Sequence, residues 1–586
     1  MNISIIGRVF RLAVIGAILS GSASCVNIDE TLGEDFIPTD QIWDVYPCDP
    51  VVLEDITMEN SDKLSGYSTS RFTFGAVKDD NFTCSKTTSF TLVPLADSLD
   101  FGYKPEVVQF HLSAVRDTLS MVYDYQERIL QNVYVYGLKS PLDSTVLYTD
   151  TDLLALTQEG TVTNGIPVYD GGDSLSFDFS KEYAMSVMEG IMEFQSLESE
   201  RKDSLANYLK CVPGIVIGTD PRTETGGRVN MFNLPIKAES GYITGNYAEL
   251  KIRSKYDYSE EPVDTSFIFY FGPSDFLKDD DTSYPTQFAF NASDNGTVNA
   301  DFLASWKNGT KEKIYIEGGS GLKPVIKASE IKRIANSLIE EKQAEGNNVD
   351  KDEVVINKAT IILPYNVGTD YEKLEKYPVI LSPTVRLTSS EGDYTTYAGL
   401  TDSSIETENQ GDINRSLCMY CPDISHHVQE ILNLKQGEGE DVDPNETDEV
   451  FAKRLEKYDI WMLIMHEEIT ETSTDNSYNN DFYNNLLYNS YYNNMMYDPY
   501  GYGYGYGGYG GYGYGGYGGY GGYGYNNYYN YYMMAAYASA SNSSTSTTSS
   551  IELDKDRFYN AELNGPGAAG AKPQLKITFS ALKKAE

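Results

Sequence analysis

The stretch VQFHLSA, residues 108–114, decides the fold class. Its apolar residues stand at every second position, which is the pattern of a strand with one buried and one exposed face. The same alternation, or a run of β-branched and aromatic residues, recurs at residues 133–136, 175–179, 267–271, 354–363, 379–381, 460–465 and 575–579. Polar turns separate these segments, so we expect a mainly β chain.

Helical spacing is rare in this chain. Apolar residues recur at intervals of three and four at residues 184–194 and again at residues 331–339. Each segment is expected to form a helix that covers a sheet. We therefore predict two consecutive β-sandwich lobes, of jelly-roll type, with a few covering helices.

A long low-complexity segment interrupts the second lobe. Residues 472–550 are rich in Asn, Tyr, Gly and Ser, and residues 501–525 contain only glycine and tyrosine. Glycine at this density leaves too much backbone entropy for an ordered core, so we expect a disordered loop between two strands. Its tyrosines fit an adhesive role, and a neutral spacer is the alternative. The predicted lobes then span residues 61–310, and residues 311–471 together with 551–586.

The N-terminus has the features of a secretory signal. Arg8 and Arg11 precede an apolar run at residues 12–19, and the small residues 21–24 stand directly before Cys25. This pattern indicates a lipoprotein signal peptide over residues 1–24, with Cys25 as the lipid acceptor. Ordinary secretion, with Cys25 merely near the cleavage point, is the alternative. No apolar run in the chain reaches the roughly 20 residues that a membrane-spanning helix needs.

An acidic segment follows the cysteine. Residues 25–60 are weakly periodic and are expected to form an extended tether. Asp29 and Glu30 stand where an export signal to the outer face of the outer membrane is expected, and simple solvation of the tether is the alternative. The predicted location is thus the outer membrane, with a lipid anchor and a body that faces the cell exterior.

The charge balance limits the partners. The chain has 86 acidic and 45 basic residues, for a formal net charge of −41. Such a charge repels phosphate backbones, so nucleic acid is not expected as a partner.

The sequence indicates no catalytic chemistry. Cys418 and Cys421, with His426 and His427 close behind, suggest a zinc site, and a loop disulfide or two reduced thiols is the preferred alternative. His111 and His466 fall at positions typical of structural side chains, and neither a phosphate loop nor a dinucleotide fingerprint occurs. We expect a protein without enzymatic activity, cofactor or metal.

A triplet of Asp, then Ser or Thr, then an apolar residue or Thr recurs in the first lobe. It resembles the O-glycosylation acceptor of exported Bacteroidota proteins, and the same triplets fit turns that lead into strands. The acceptor hydroxyls would be those of Ser98, Thr118, Ser144, Ser174 and Ser204.

Several short motifs are spread along the chain: Leu32-Gly33 with Asp35 and Phe36-Ile37-Pro38, Gly75 with Asp79, Asp80 and Phe82, residues 133–138, residues 213–217, residues 318–321, residues 355–359 and residues 575–579. Together they resemble a family of Bacteroidota outer-membrane lipoproteins of unknown function. Asn81 and Thr83 depart from the Pro and Gly of the family pattern. The resemblance implies a lipoprotein with a β-sandwich body and no catalytic residues.

Two functions remain open at this point. One is a non-catalytic binding or scaffolding subunit of an outer-membrane protein complex, for which the barrel-assembly machinery is the candidate. The alternative is a glycan-binding surface lipoprotein that works in nutrient uptake.

Overall fold

A computed structural model describes residues 43–582, except residues 80–81, 97, 118–128, 143–145, 147, 199–204, 240–241, 258–260, 272–287, 348, 369–373, 375–376, 390–394, 405–408, 440–441 and 474–544. Strands account for 45% of the chain and helices for 19%, so the predicted mainly β class is confirmed. The expected disorder of the Gly/Tyr-rich loop falls almost wholly outside the described residues.

The described residues form thirty strands, numbered here in chain order. Strands β1 to β15 are Trp43–Pro47, Val51–Val52, Ile56–Asn60, Tyr67–Ser68, Arg71–Lys78, Thr83–Phe90, Leu92–Pro94, Tyr103–Val115, Gln131–Asn132, Tyr134–Gly137, Val168–Tyr169, Ser174–Asp178, Ile215–Gly218, Gly226–Asn233 and Ile236–Glu239. Strands β16 to β30 are Tyr242–Gly245, Tyr247–Lys255, Val263–Phe271, Ala289–Asp294, Lys313–Glu317, Leu322–Ile326, Val354–Pro364, Ile380–Thr388, Thr395–Gly399, Ile413–Asn414, Met419–Tyr420, Ile460–Ser473, Thr545–Leu553, Asn560–Asn564 and Gln574–Leu582.

Six helices occur in the described part of the chain. Helices α1 to α6 are Lys181–Ser196, Leu205–Cys211, Gly296–Lys307, Ala328–Ala344, Ser425–Asn433 and Asp448–Glu456. The two helices predicted from the sequence are α1 and α4, and both bury the apolar faces expected of them.

The N-terminal lobe is a sandwich of two antiparallel sheets. One sheet has the order β10-β13-β6-β19-β4, with β5 paired to β6 and β14 paired to β5, and the other has the order β12-β8-β17-β18-β7. Phe72 from the first sheet and Phe110 and Phe269 from the second share one core with α1. In β8, the register shifts near Val108, which leaves this side chain 53% exposed instead of inward as its alternation predicts.

The C-terminal lobe contains two large antiparallel sheets, the two-stranded sheet β20-β29 and most of the helices. The large sheets have the orders β1-β30-β22-β26-β25 and β24-β23-β27-β21-β3, and β28 pairs with β27. Helices α4 and α5 pack into the core between these sheets, through Ile331 and Val428 among others. The register Ser473↔Thr545 closes the β27–β28 hairpin, so the long insertion joins two neighbouring strands.

The lobe boundaries differ from the predicted ones. Strands β1 to β3 lie inside the stretch assigned to the tether, yet they pair with β30 and β21 of the C-terminal lobe. The sequence conceals them because they are short and β1 exposes Trp43 and Val45. Trp306 of α3 likewise belongs to the C-terminal core. The N-terminal lobe is therefore inserted in the chain between β3 and α3. Strand β28 begins inside the predicted loop, and it was not predicted because its Ser/Thr-rich sequence lacks apolar alternation.

A buried polar junction links the two lobes. We use this name for Arg71, Lys86, Asp117, Asn291, Lys323 and Asp556. Arg71 Nε lies 3.0 Å from an oxygen of Asp117, and its Nη1 lies 3.3 Å from Asp556. Asn291 donates to the other oxygen of Asp556 at 3.1 Å. Since Arg71 and Asn291 stand on β5 and β19 and Asp556 follows β28, these bonds cross between the lobes.

Lys323 extends the junction toward the turn between β20 and β21. Its ammonium donates to the carbonyls of Glu317, Gly319 and Gly321, the last two at 3.1 Å. Burial lowers the pKa of Lys323 to about 7, although the Glu317 carboxylate opposes this shift. Gly319 has a φ of 59°, and a Cβ there would lie 2.7 Å from Ser293 Oγ, so only glycine lets this turn approach the N-terminal lobe.

Candidate binding face

The residues predicted to anchor and export the protein lie outside the described residues. This holds for the lipid acceptor Cys25 and for the acidic pair Asp29 and Glu30. Among the described residues, no helix combines the length and the apolar character that crossing a bilayer requires.

Two of the five predicted O-glycosylation acceptors are described. Ser98 and Ser174 are both exposed, and the side chain of Ser98 hydrogen-bonds that of Gln195 at 2.9 Å. Thr118, Ser144 and Ser204 fall outside the described residues. Exposed hydroxyls are open to modification, so acceptor and turn remain alternatives for these triplets.

The Cys418 region holds free thiols. Cys418 and Cys421 are half-buried and are not joined to each other. His427 is buried in α5, where its Nε2 lies 2.8 Å from the Tyr458 carbonyl oxygen, and Asp402 accepts from the backbone of His426 and of His427. Within the described ranges, no group of three or more His, Cys, Asp or Glu side chains is placed to hold a metal ion. The Asp402 carboxylate thus caps the start of α5.

A histidine and a carboxylate meet on the outer face of the N-terminal lobe. His111 Nδ1 lies 2.8 Å from Asp178, which also accepts from Gln109 at 2.9 Å. Both partners are more than one-third exposed on an open sheet. A carboxylate-held histidine is one part of a catalytic relay, which also needs a nucleophile and a site that excludes water. We assign this pair a structural role on the sheet.

An open cleft lies in the C-terminal lobe. Its volume is about 250 Å³, and its lining comprises Glu312, Lys313, Asn366, Glu562, Leu563, Asn564, Ala568, Ala569 and Gly570. Lys313 and Glu562 form an ion pair across two strands. More than half of these lining residues are polar or charged, unlike the apolar pockets that hold small ligands.

Four of the exposed apolar side chains of the N-terminal lobe lie on one face. We call it the Tyr134 face and define it by Leu130, Asn132, Tyr134, Tyr136, Leu154, Ile166, Val168 and Asp220. Leu130 is 68% exposed, Ile166 51% and Val168 54%, and Leu154 is also exposed. Single exposed apolar residues are ordinary, but a cluster of them marks a surface that contacts something else.

Strand geometry places these side chains together. Leu130, Asn132, Tyr134 and Tyr136 alternate with buried residues along β9 and β10, so they share the outward face. Val168 pairs with Asn132, and the amide of Val133 donates to the carbonyl of Pro167 at 2.8 Å. Ile166 stands two residues before Val168 and is exposed like it. On the other side, Tyr134 pairs with Gly218, which has no side chain to cover the ring.

One edge of the Tyr134 face is polar. Asn132 Nδ2 donates to Asp220 Oδ2 at 2.7 Å, and the Tyr134 hydroxyl donates to the same oxygen at 3.2 Å. This hydrogen bond raises the pKa of Tyr134, so its hydroxyl stays protonated. The rings of Tyr134 and Tyr136 are nearly parallel, with centroids 6.3 Å apart.

Buried polar bonds hold the Tyr134 face in place from behind. Arg228 on β14 is fully buried and donates to the backbone carbonyls of Ile129 and of Tyr169, the latter at 2.7 Å. Asn230 donates to Gln131 at 2.8 Å, and Gln131 donates to the backbone of β5 and β14. Because these bonds hold β9 and β11 against the main sheet, the two-stranded sheet that they form is already ordered before any partner binds.

The sequence predicted the strand at residues 133–136 but not the face that it carries. All four residues there are apolar or aromatic, so the pattern does not tell the inward side from the outward side. The partners Ile166, Val168 and Asp220 come from two later segments, and only the fold brings them to β10.

Comparison of the chain with models of known protein families, with curated proteins and with solved structures finds no match.

Proposed function

We propose that this chain is a lipid-anchored, non-catalytic binding subunit of an outer-membrane protein complex. In this proposal, acylated Cys25 holds the protein to the outer membrane, the body faces the cell exterior, and the Tyr134 face contacts an outer-membrane protein. The resemblance to Bacteroidota lipoproteins makes the barrel-assembly machinery the candidate complex.

The composition of the Tyr134 face supports a protein partner. It combines four exposed aliphatic side chains with two tyrosines, and its polar groups lie at one edge. Protein interfaces have this anatomy, with apolar and aromatic anchors at the centre and a polar rim around them. A partner that covers Ile166 and Val168 would remove these β-branched side chains from water. This cluster is the single observation on which the proposal depends.

Because the protein is anchored in the membrane, weak contacts with a partner are sufficient. A protein confined to a membrane meets its neighbours at a raised effective concentration, so an interface of moderate size is enough to hold a complex. The rigid two-stranded sheet of β9 and β11 also lowers the entropic cost of binding, because Arg228 and Gln131 already order it.

Photocrosslinking in membranes tests the proposal. With p-benzoylphenylalanine at Val168, we expect a crosslink to one outer-membrane protein. The matched control places it at Val450 in α6, which has the same residue type and the same 54% exposure. Adding Tyr134→Ala should weaken the complex on the order of 2 kcal/mol, roughly 30-fold in Kd, if Tyr134 is an interface anchor. Equal crosslinking at Val168 and Val450, or none at Val168, would contradict the proposal.

A glycan is the second candidate ligand. The specific observation is the pair of nearly parallel tyrosine rings beside Asn132 and Asp220, because sugars stack on aromatic faces and bond carboxylates and amides through their hydroxyls. Calorimetry with defined oligosaccharides separates the candidates. Saturable binding that is lost in both Tyr134→Ala and Tyr136→Ala, with no crosslinked protein at Val168, would favour the glycan.

A further inference from the structure

The outer face of one C-terminal sheet is apolar where the chain enters the fold. Strand β1 is an edge strand, and its outward residues Trp43 and Val45 are 43% and 59% exposed. Its inward residue Tyr46 packs on Phe579 of the core, with ring centroids 5.3 Å apart. The strand is thus fixed from inside while Trp43 points outward.

The neighbouring strands extend this surface. Ser580 pairs with Val45 on one side and with Val355 on the other, and Val355 is 46% exposed. Leu582 pairs with Trp43 in the next row. We name these four apolar side chains, Trp43, Val45, Val355 and Leu582, the Trp43 face.

The charge of this surface is unlike that of the whole chain. The outward positions of β1, β22 and β30 contain no Asp or Glu, whereas the chain has 86 acidic residues against 45 basic ones. Lys358 and Lys576 stand on the same side of the sheet, and Lys358 also lies 3.3 Å from buried Asp423. An apolar patch with lysines at its border suits the head-group region of a bilayer, where tryptophan is enriched and basic side chains meet anionic lipids.

We infer that the Trp43 face docks on the lipid surface next to the anchor. The inference rests on the proposed lipid anchor. Residues 26–42 separate Cys25 from β1, and a segment of that length spans at most about 60 Å. Strand β1 is therefore the described segment closest to the anchor along the chain. Tethering raises the local concentration of lipid at this face, so four apolar side chains need only a weak affinity to remain docked.

The placement of the tryptophans provides a direct reporter. Trp43 is exposed, whereas the other two tryptophans of the chain, Trp306 and Trp461, are buried. Quenching of Trp43 by bromine on lipid acyl chains therefore measures its contact with the bilayer, and a Trp43→Phe chain supplies the background emission.

The test holds the chain on vesicles without acylation. A chain that begins at Val26 with an N-terminal histidine tag binds vesicles of phosphatidylethanolamine, brominated phosphatidylglycerol and a nickel-chelating lipid. We expect Trp43 emission to be quenched and shifted to shorter wavelength, and its quenching by acrylamide in the water to fall. Val45→Asp should abolish these changes, and Val450→Asp, at an equally open site in α6, should leave them intact.

Two results would contradict the docking inference. If Trp43 stays fully accessible to acrylamide while the chain is held on the vesicles, the docking inference is wrong. Protection of Trp43 in native membranes but not on pure lipid would assign the Trp43 face to a protein partner and would also overturn it. Since acylation plays no part in this test, failure here leaves the Cys25 anchor standing, and Cys25→Ala tests that anchor separately.

Discussion

Replacing Arg71 by methionine should destabilise the protein and uncouple its lobes. The Arg71 side chain is 5% exposed and contacts Asp117 and Asp556, whose side chains are 8% and 6% exposed. Methionine keeps much of the volume but leaves two buried carboxylates without this cation. Removing one partner of a buried ion pair costs about 3–5 kcal/mol, so we expect a loss of that size in the free energy of unfolding.

The assay uses the uneven distribution of tryptophan. Trp43, Trp306 and Trp461 all lie in the C-terminal lobe, so their fluorescence follows that lobe, whereas far-UV circular dichroism follows both. In the parent chain, we expect the two urea transitions to coincide, because the polar junction couples the lobes. In Arg71→Met, the urea midpoint should fall by roughly 1–1.7 M, for a slope of about 3 kcal/mol per M, and the two curves should separate.

Two further variants make this prediction specific. Arg253 and Asp264 form an exposed pair at 2.9 Å, with side chains 57% and 62% exposed, so Arg253→Met should cost no more than about 1 kcal/mol. Adding Asp556→Asn to Arg71→Met should recover part of the lost free energy of unfolding, because it removes one of the two buried carboxylates that no longer have Arg71 as a partner. An Arg71→Met chain with superimposable curves, and a stability within about 1 kcal/mol of the parent, would refute the reasoning.

Three other outcomes are expected. Burial raises the pKa of Cys84 from 9.0 to about 11, so the thiol of the unfolded chain ionises at lower pH than that of the folded chain. The free energy of unfolding should therefore decrease between pH 9.0 and about 11. Urea titrations of Cys84→Ala should show a decrease that is smaller by on the order of 3 kcal/mol. Replacing residues 474–544 by Asn-Gly should preserve the pair Ser473↔Thr545, since two residues close such a hairpin; calorimetry should find the thermal midpoint lowered by no more than about 4 °C. Cys25→Ala should move the protein from the membrane fraction to the soluble fraction, and retention after a salt wash would place the anchor elsewhere.

Local patterns predicted much of the fold. Alternation identified β8 and β12, and helical spacing identified α1 and α4, because burial on one side imposes a period on the sequence. The prediction was wrong at β1 to β3, which were assigned to the tether. A two-residue strand such as β2 is too short to show a period. In β1, the apolar residues Trp43 and Val45 are the exposed ones, so the apolar pattern does not identify the buried side.

The polar junction and the Tyr134 face could not be predicted from the sequence. Arg71, Lys86 and Lys323 are residue types that usually lie on the surface in contact with water. They are buried only because the two lobes pack against each other. The Tyr134 face has the opposite difficulty, since an apolar residue such as Val168 suggests a core position until the fold leaves it exposed. Both features depend on contacts between segments that are far apart in the chain.

The insertion of one lobe in the other has a consequence for how the protein matures. Strand β1 pairs with β30, and β3 pairs with β21, so the C-terminal lobe needs both ends of the described chain. The N-terminal lobe draws its core from residues 72–289 and contains its own two sheets. Contacts so distant in sequence have a large loop-closure cost and form slowly, unless an intervening unit folds first and shortens the effective loop. We therefore expect the N-terminal lobe to fold first, which would bring β3 and α3 together and let Arg71 and Asn291 bond to Asp556 afterwards. Buried charges suit this position, because they stabilise only the arrangement in which all partners are in place.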